Sequence, residues 1–132
     1  MSMHSRDERQ ARVRQWAVDT FGPQTANDPG ERIRRFAEEA VELVQAAGLP
    51  KQALLDLVNY VYSRPAGEPE QEVGGVSFTL LAYCEHQGFS AEELEQREVE
   101  RVLSKPREHF RARQDAKAAA GVGRLSSPTE PQ

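Results

Sequence analysis

Glu38, Glu39 and Glu42 crowd into the stretch Arg35-Phe36-Ala37-Glu38-Glu39-Ala40-Val41-Glu42, whose apolar residues recur at helical spacing. On a helix, residues three and four apart share a face, so two or three of these carboxylates can converge on one point. Like charges that close repel unless something neutralises them. Carboxylate oxygens with no His or Cys among them suit a hard cation, Mg2+ or Mn2+, which keeps several waters and takes phosphate oxygens from a substrate as further ligands. The chemistry in view is therefore metal-assisted work on a phosphoanhydride. A solvated, Glu-rich helix face produces the same pattern with no function at all, and spacing alone does not choose between them.

A second acidic group, Glu68, Glu70 and Glu72, stands where a later helix begins. If the two helices pack side by side, Glu72 completes a pocket with Glu39 and Glu42, in the manner of metal sites built from facing helices. Gly74 and Gly75 follow directly and would let a phosphate or a neighbouring backbone come close; a kink or tight helix packing explains them equally well. His4, His86 and His109 are too scattered to form a ligand set or a nucleophile and base pair, and no Gly-rich phosphate loop with a Lys is present. Trp16 and Phe21 read as core aromatics rather than a base-stacking platform, and Cys84 as a small buried hydrophobe.

The elements that must position these groups are helical throughout. Ser5 to Phe21 carries Val13, Trp16, Ala17 and Thr20 at helical spacing and ends at Gly22-Pro23. Asn27-Asp28-Pro29-Gly30 has turn chemistry, with Asp28 placed to cap a second helix running from about Pro29 to Ala47. Its apolar stripe is Ile33, Phe36, Ala37, Ala40, Val41, Val44 and Ala47. A third helix spans Lys51 to Ser63, apolar widely enough to be buried on more than one side. A fourth runs from about Glu68 to Gln87, preferred over a strand because no partner strand exists elsewhere. Ser90 and Glu93 form a capping box that opens a fifth, to about Leu103, which Pro106 restarts or kinks before His109 to Ala120. The expectation is one all-α domain over 1–120, a bundle of about five helices, followed by a disordered tail over 121–132.

Composition narrows the classes. A chain of 132 residues with 38% hydrophobic content builds one modest core. Its 17 basic residues against 21 acidic, a formal charge of -4, disfavour a nucleic-acid partner. The single Cys84 excludes cysteine-cluster zinc sites and an intrachain disulfide, and fits a reducing compartment. The N-terminal stretch lacks the apolar core of about 7 to 15 residues that marks a signal peptide, and no apolar run nears the roughly 20 residues of a membrane span. The expected setting is cytoplasmic, with no membrane partner.

These motifs resemble the all-α nucleoside triphosphate pyrophosphatases, the family of MazG-like proteins and phosphoribosyl-ATP pyrophosphatase, marked by Glu-Glu-x-x-Glu on one helix and Glu-x-x-Asp on a later one. Arg35 to Val44 resembles the first part and Gln71-Glu72-Val73-Gly74-Gly75-Val76 the second. The resemblance runs from about Trp16 to Lys117 and is closest to MazG-like proteins of phages and proteobacteria. It implies Mg2+ (or Mn2+) held by Glu39, Glu42 and Glu72. Glu38 would help bind metal or activate water, and a nucleoside triphosphate would be cut to the monophosphate and pyrophosphate. It further implies Lys105 and Arg113, within the basic run Arg107, Arg111, Arg113 and Lys117, on the substrate phosphates, and a homo-oligomer, dimer or tetramer. The family's Asp falls at Gly75 and its Asn at about Val102. With one carboxylate missing, the alternative is a nucleotide-binding or regulatory protein of the same fold without turnover. From the residues rather than the family, Asp56 or Asn59 could supply the missing ligand.

Overall fold

The computed structural model describes residues 5–122, which form seven helices and no strand. They are α1 (Arg6–Phe21), α2 (Pro23–Ala26), α3 (Pro29–Ala46), α4 (Lys51–Tyr62), α5 (Pro69–Gln87), α6 (Ala91–Ser104) and α7 (Arg107–Ala119). The all-α class is as expected; the count of about five is corrected to seven. Pro23, at the first helical position, starts the single turn α2 inside a stretch that reads as a loop. Pro106 has no N–H to continue α6, so α7 begins anew behind it.

Local signals set the ends. The Ser5 hydroxyl accepts the Glu8 amide at 3.2 Å while the Glu8 carboxylate faces the Ser5 amide at 3.4 Å, a reciprocal capping box at α1. Asp28 caps α3, its Oδ2 accepting the Glu31 amide at 2.8 Å. Asp28→Ala should therefore cost about 1 kcal/mol in chemical denaturation, the usual loss for such a cap. Helix α5 stays helical through Gly74 and Gly75, and the Thr79 hydroxyl bonds back to the carbonyls of Gly75 and Val76.

Gly121, with φ +80°, closes α7. Its amide donates to Ala118 O and that of Val122 to Lys117 O at 3.0 Å, a 6→1 closure that a left-handed glycine makes possible. The first two residues of the expected disordered tail are thus a helix terminus; the rest of it lies outside the described residues.

The chain divides into two compact units, one of Met1–Leu43 with Val99–Gln132, the other Val44–Glu98. In the first, α1 packs on α2 and α7. Ala17, Ala26 and Thr20 are buried there, and Trp16 meets Phe21 and Phe110 edge-on at centroid distances of 5.5 and 5.1 Å, which makes it the core aromatic its position suggests. Arg111 of α7 donates through Nε to Thr20 O at 2.6 Å, serving a carbonyl that the end of α1 leaves unpaired. The second unit contains α4, α5 and the start of α6. Its only buried residue is Cys84, as the sequence suggests. Among the described residues the apolar stripe of α3 is only partly covered: Ile33, Phe36 and Val41 stand about half exposed or more, while Ala40 and Val44 are partly buried. Helix α4, apolar enough for burial on two sides, buries no residue fully.

Candidate functional site

Helix α3 carries Glu31, Arg35, Glu38, Glu39 and Glu42 along successive turns. Glu31 is fully buried, an unusual position for a carboxylate. Its Oε1 receives the Gln114 amide of α7 at 2.9 Å and lies 3.1 Å from Arg35 Nε, with Arg32 at 3.9 Å. Arg35 then reaches on to Glu38, Nη1 to Oε1 at 2.7 Å, and donates through Nη2 to the Val122 carbonyl. Lys117 of α7 completes the set, its Nζ 2.9 Å from the same Glu38 oxygen. Gln114 and Lys117 are three residues apart on α7, as Glu31, Arg35 and Glu38 are four and three apart on α3, so two helix faces meet as alternating charges.

Glu38 is consequently held below its ordinary carboxylate value of 4.5. The hydrogen bond from Lys117 is the largest cause; partial burial opposes it, and the charges of Lys117, Arg35 and Arg113 add to the lowering. A depressed carboxylate contributes stability that is fully present above its unfolded value and is lost as pH falls through the folded one. Below about pH 4.5 the α3–α7 contact should weaken. In Lys117→Ala, the Glu38 carboxyl resonance should titrate at higher pH than in the unmodified chain, and stability should fall off less between neutral pH and acid.

Within the first unit, the sequence candidates do not all gather at Glu38. Arg113 lies close enough to Glu38 to act on its charge, and Lys117, from the same basic run, touches it. Lys105 lies elsewhere in that unit, in an open cleft of about 320 Å3 with Arg12, Trp16, Asp19, Leu103 and Arg107. Glu39 and Glu42 are exposed on α3. Glu72 belongs to the second unit, in the first turn of α5, its carboxylate beside Gly67. Asp56 is exposed on α4 and accepts from Gln52 at 2.9 Å. A side chain at Gly75 would meet nothing within 4 Å, so the missing carboxylate reflects the residue, not a lack of room.

Among the described residues no three His, Cys, Asp or Glu side chains converge as a ready metal cage. The donor chemistry of Glu39 and Glu42 still fits Mg2+, which usually takes one or two carboxylates and completes its shell with water and substrate phosphate. Glu31 and the direct Lys117–Glu38 pair are what sequence reasoning missed. The Glu31–Arg35 and Arg35–Glu38 spacings were a visible signal for helix-surface pairs, whereas Lys117 reaches Glu38 only through the fold. Among the described residues no helix is long and apolar enough to cross a membrane. Compared with protein-family models, with curated proteins and with solved structures, this chain matches none.

Proposed function

We propose that this chain is a metal-dependent nucleoside triphosphate pyrophosphohydrolase with a MazG-like helical fold, acting in the cytoplasm on free nucleotides. The observation that carries the reading is the pairing of Glu38, within the Glu-Glu-x-x-Glu run of α3, with Lys117 and the nearby Arg113 of α7: positive charge for phosphate oxygens stands beside the run that carries the carboxylates for a metal. Glu39 and Glu42 would hold Mg2+. Bound there, Mg2+ would neutralise and polarise the phosphate oxygens. Arg113 would bind triphosphate oxygens.

Glu38 stays ionised far below neutral pH, which makes it a weak base. Its role is to orient a water by accepting a hydrogen bond from it, and Lys117 sets how much of that carboxylate is left to do so. Water delivered to one phosphorus of the anhydride, with the bridging oxygen leaving, yields the nucleoside monophosphate and pyrophosphate.

Gly75 favours a second reading, a nucleotide-binding or regulatory protein of the same fold, because a carboxylate expected of the hydrolases is absent there. Equilibrium binding of nucleoside triphosphates with Mg2+, read together with product analysis, separates the two. The hydrolase reading expects binding and turnover in the unmodified chain. Binding without product, with turnover appearing in Gly75→Asp, would establish the second instead. The open space around Gly75 makes that substitution sterically free.

A further inference from the structure

Helix α1 turns Arg12, Trp16 and Asp19 to one side, four and three residues apart. Facing them, the chain leaves α6 by way of Leu103, passes Lys105 and, behind Pro106, starts α7 with Arg107. Between these stretches lies the open cleft of about 320 Å3, at the small end of the range of about 300 to 1,000 Å3 usual for small-molecule sites. Three cations and one carboxylate line it. Asp19 stands 3.6 Å from Arg107 and offsets one of the three, whereas no carboxylate among the described residues pairs with Arg12 or Lys105. In a chain whose formal charge is -4, the cleft is locally positive. We infer that it is a binding site for a small phosphate dianion, free or as a monoester, separate from the carboxylate face of α3.

Charge selects the ligand. A terminal phosphate carries about 1.5 to 2 negative charges at pH 7, which answers Arg12 and Lys105 together, and its oxygens take charge-assisted hydrogen bonds from guanidinium and ammonium groups. A carboxylate or a phosphodiester brings one charge and leaves a cation unanswered. Arg107 stands in the first turn of α7, so the positive end of that helix adds to the attraction. Leu103 and Trp16 give the cleft an apolar wall against which the carbon body of an ester can lie. Position separates this site from the turnover proposed above. Arg107 and Lys117 are ten residues apart on α7, about 15 Å along its axis, and it is Lys117 that touches Glu38. None of Glu38, Glu39, Glu42 and Arg113 lines the cleft. Binding here is therefore independent of that reading, and Lys105 acts with Arg12 and Arg107.

Trp16 is the only tryptophan of the chain and lines the cleft, so its fluorescence reports occupancy. The test titrates the full chain with inorganic phosphate and with ribose 5-phosphate at matched ionic strength, with a chelator present so that no metal-dependent turnover contributes. A saturable change is expected. Tighter binding of ribose 5-phosphate shows that the apolar wall takes the body of an ester; equal or weaker binding shows that the cleft reads the phosphate alone. Arg12→Gln, at an exposed position, should weaken binding about 10-fold, the loss of one charge-assisted contact. Asp19→Asn keeps an acceptor for Gln15 and frees Arg107, so it should bind more tightly, a gain that misfolding does not produce. No saturable change with either ligand, or the same affinity in Arg12→Gln, would overturn the inference. So would a loss in Arg12→Gln without a gain in Asp19→Asn, which traces the loss to structure rather than charge.

Discussion

Glu39→Ala is expected to lower Mg2+-dependent pyrophosphate release by about 100-fold or more, beyond the 10- to 100-fold that losing an outer-shell partner of a metal typically costs. The loss corresponds to about 2.7 kcal/mol or more of transition-state stabilisation. Glu39 is exposed on a helix, where alanine is at least as good a helix former, so the fold should survive with a stability change of about 1 kcal/mol or less. Glu42→Ala should behave alike, because it removes a carboxylate from the same face one turn on. Glu38→Ala should differ by also costing stability, since it strips Arg35 and Lys117 of their shared acceptor. Steady-state pyrophosphate release beside urea denaturation checks all three. A Glu39→Ala chain that turns over like the unmodified one removes this residue from the metal.

The largest effect on stability belongs to Glu31. Its buried carboxylate is the acceptor for Gln114 and one of two carboxylates that Arg35 engages. Removing one partner of a buried pair typically costs about 3–5 kcal/mol, because the other charge is left uncompensated. Arg35 keeps Glu38, which places Glu31→Ala at the lower end, about 3 kcal/mol, a Tm loss on the order of 10 °C for a chain of this size. Glu31→Gln keeps the volume and one acceptor oxygen and should fall in between. Differential scanning calorimetry of both variants is the check, and an unchanged Tm in Glu31→Ala would mean that the α3–α7 contact does not depend on this carboxylate.

What the sequence shows and what it hides divide along physical lines. Helix ends are local chemistry, so Ser5, Asp28, Gly22 and Gly88 were legible, and α3 and α5 end within a residue or two of where the spacing puts them. Helix α5 was legible despite two glycines because apolar period outweighs the propensity cost of about 1 kcal/mol for each. The one-turn α2 was not, since Pro23 serves a turn and a helix start equally.

For the site, Glu38, Glu39 and Glu42 were visible as one helical face. Their partners were not all visible: Lys117 stands far along the chain from Glu38 and meets it only because α7 is held near α3 by Gln114 and Arg35. Burial was the least legible property. Apolar spacing tells which faces of α3, α4 and α5 seek cover, and it is silent on whether the cover comes from the same chain.

The most direct measurement is product identity and stoichiometry for the unmodified chain, offered a panel of ribo- and deoxynucleoside triphosphates with and without Mg2+. Nucleoside monophosphate and pyrophosphate released in equal amounts, only when Mg2+ is present, is the expected result. Orthophosphate as the product, or no pyrophosphate from any nucleotide with Mg2+ or Mn2+, would show that the carboxylates of α3 do not serve pyrophosphohydrolysis in this protein.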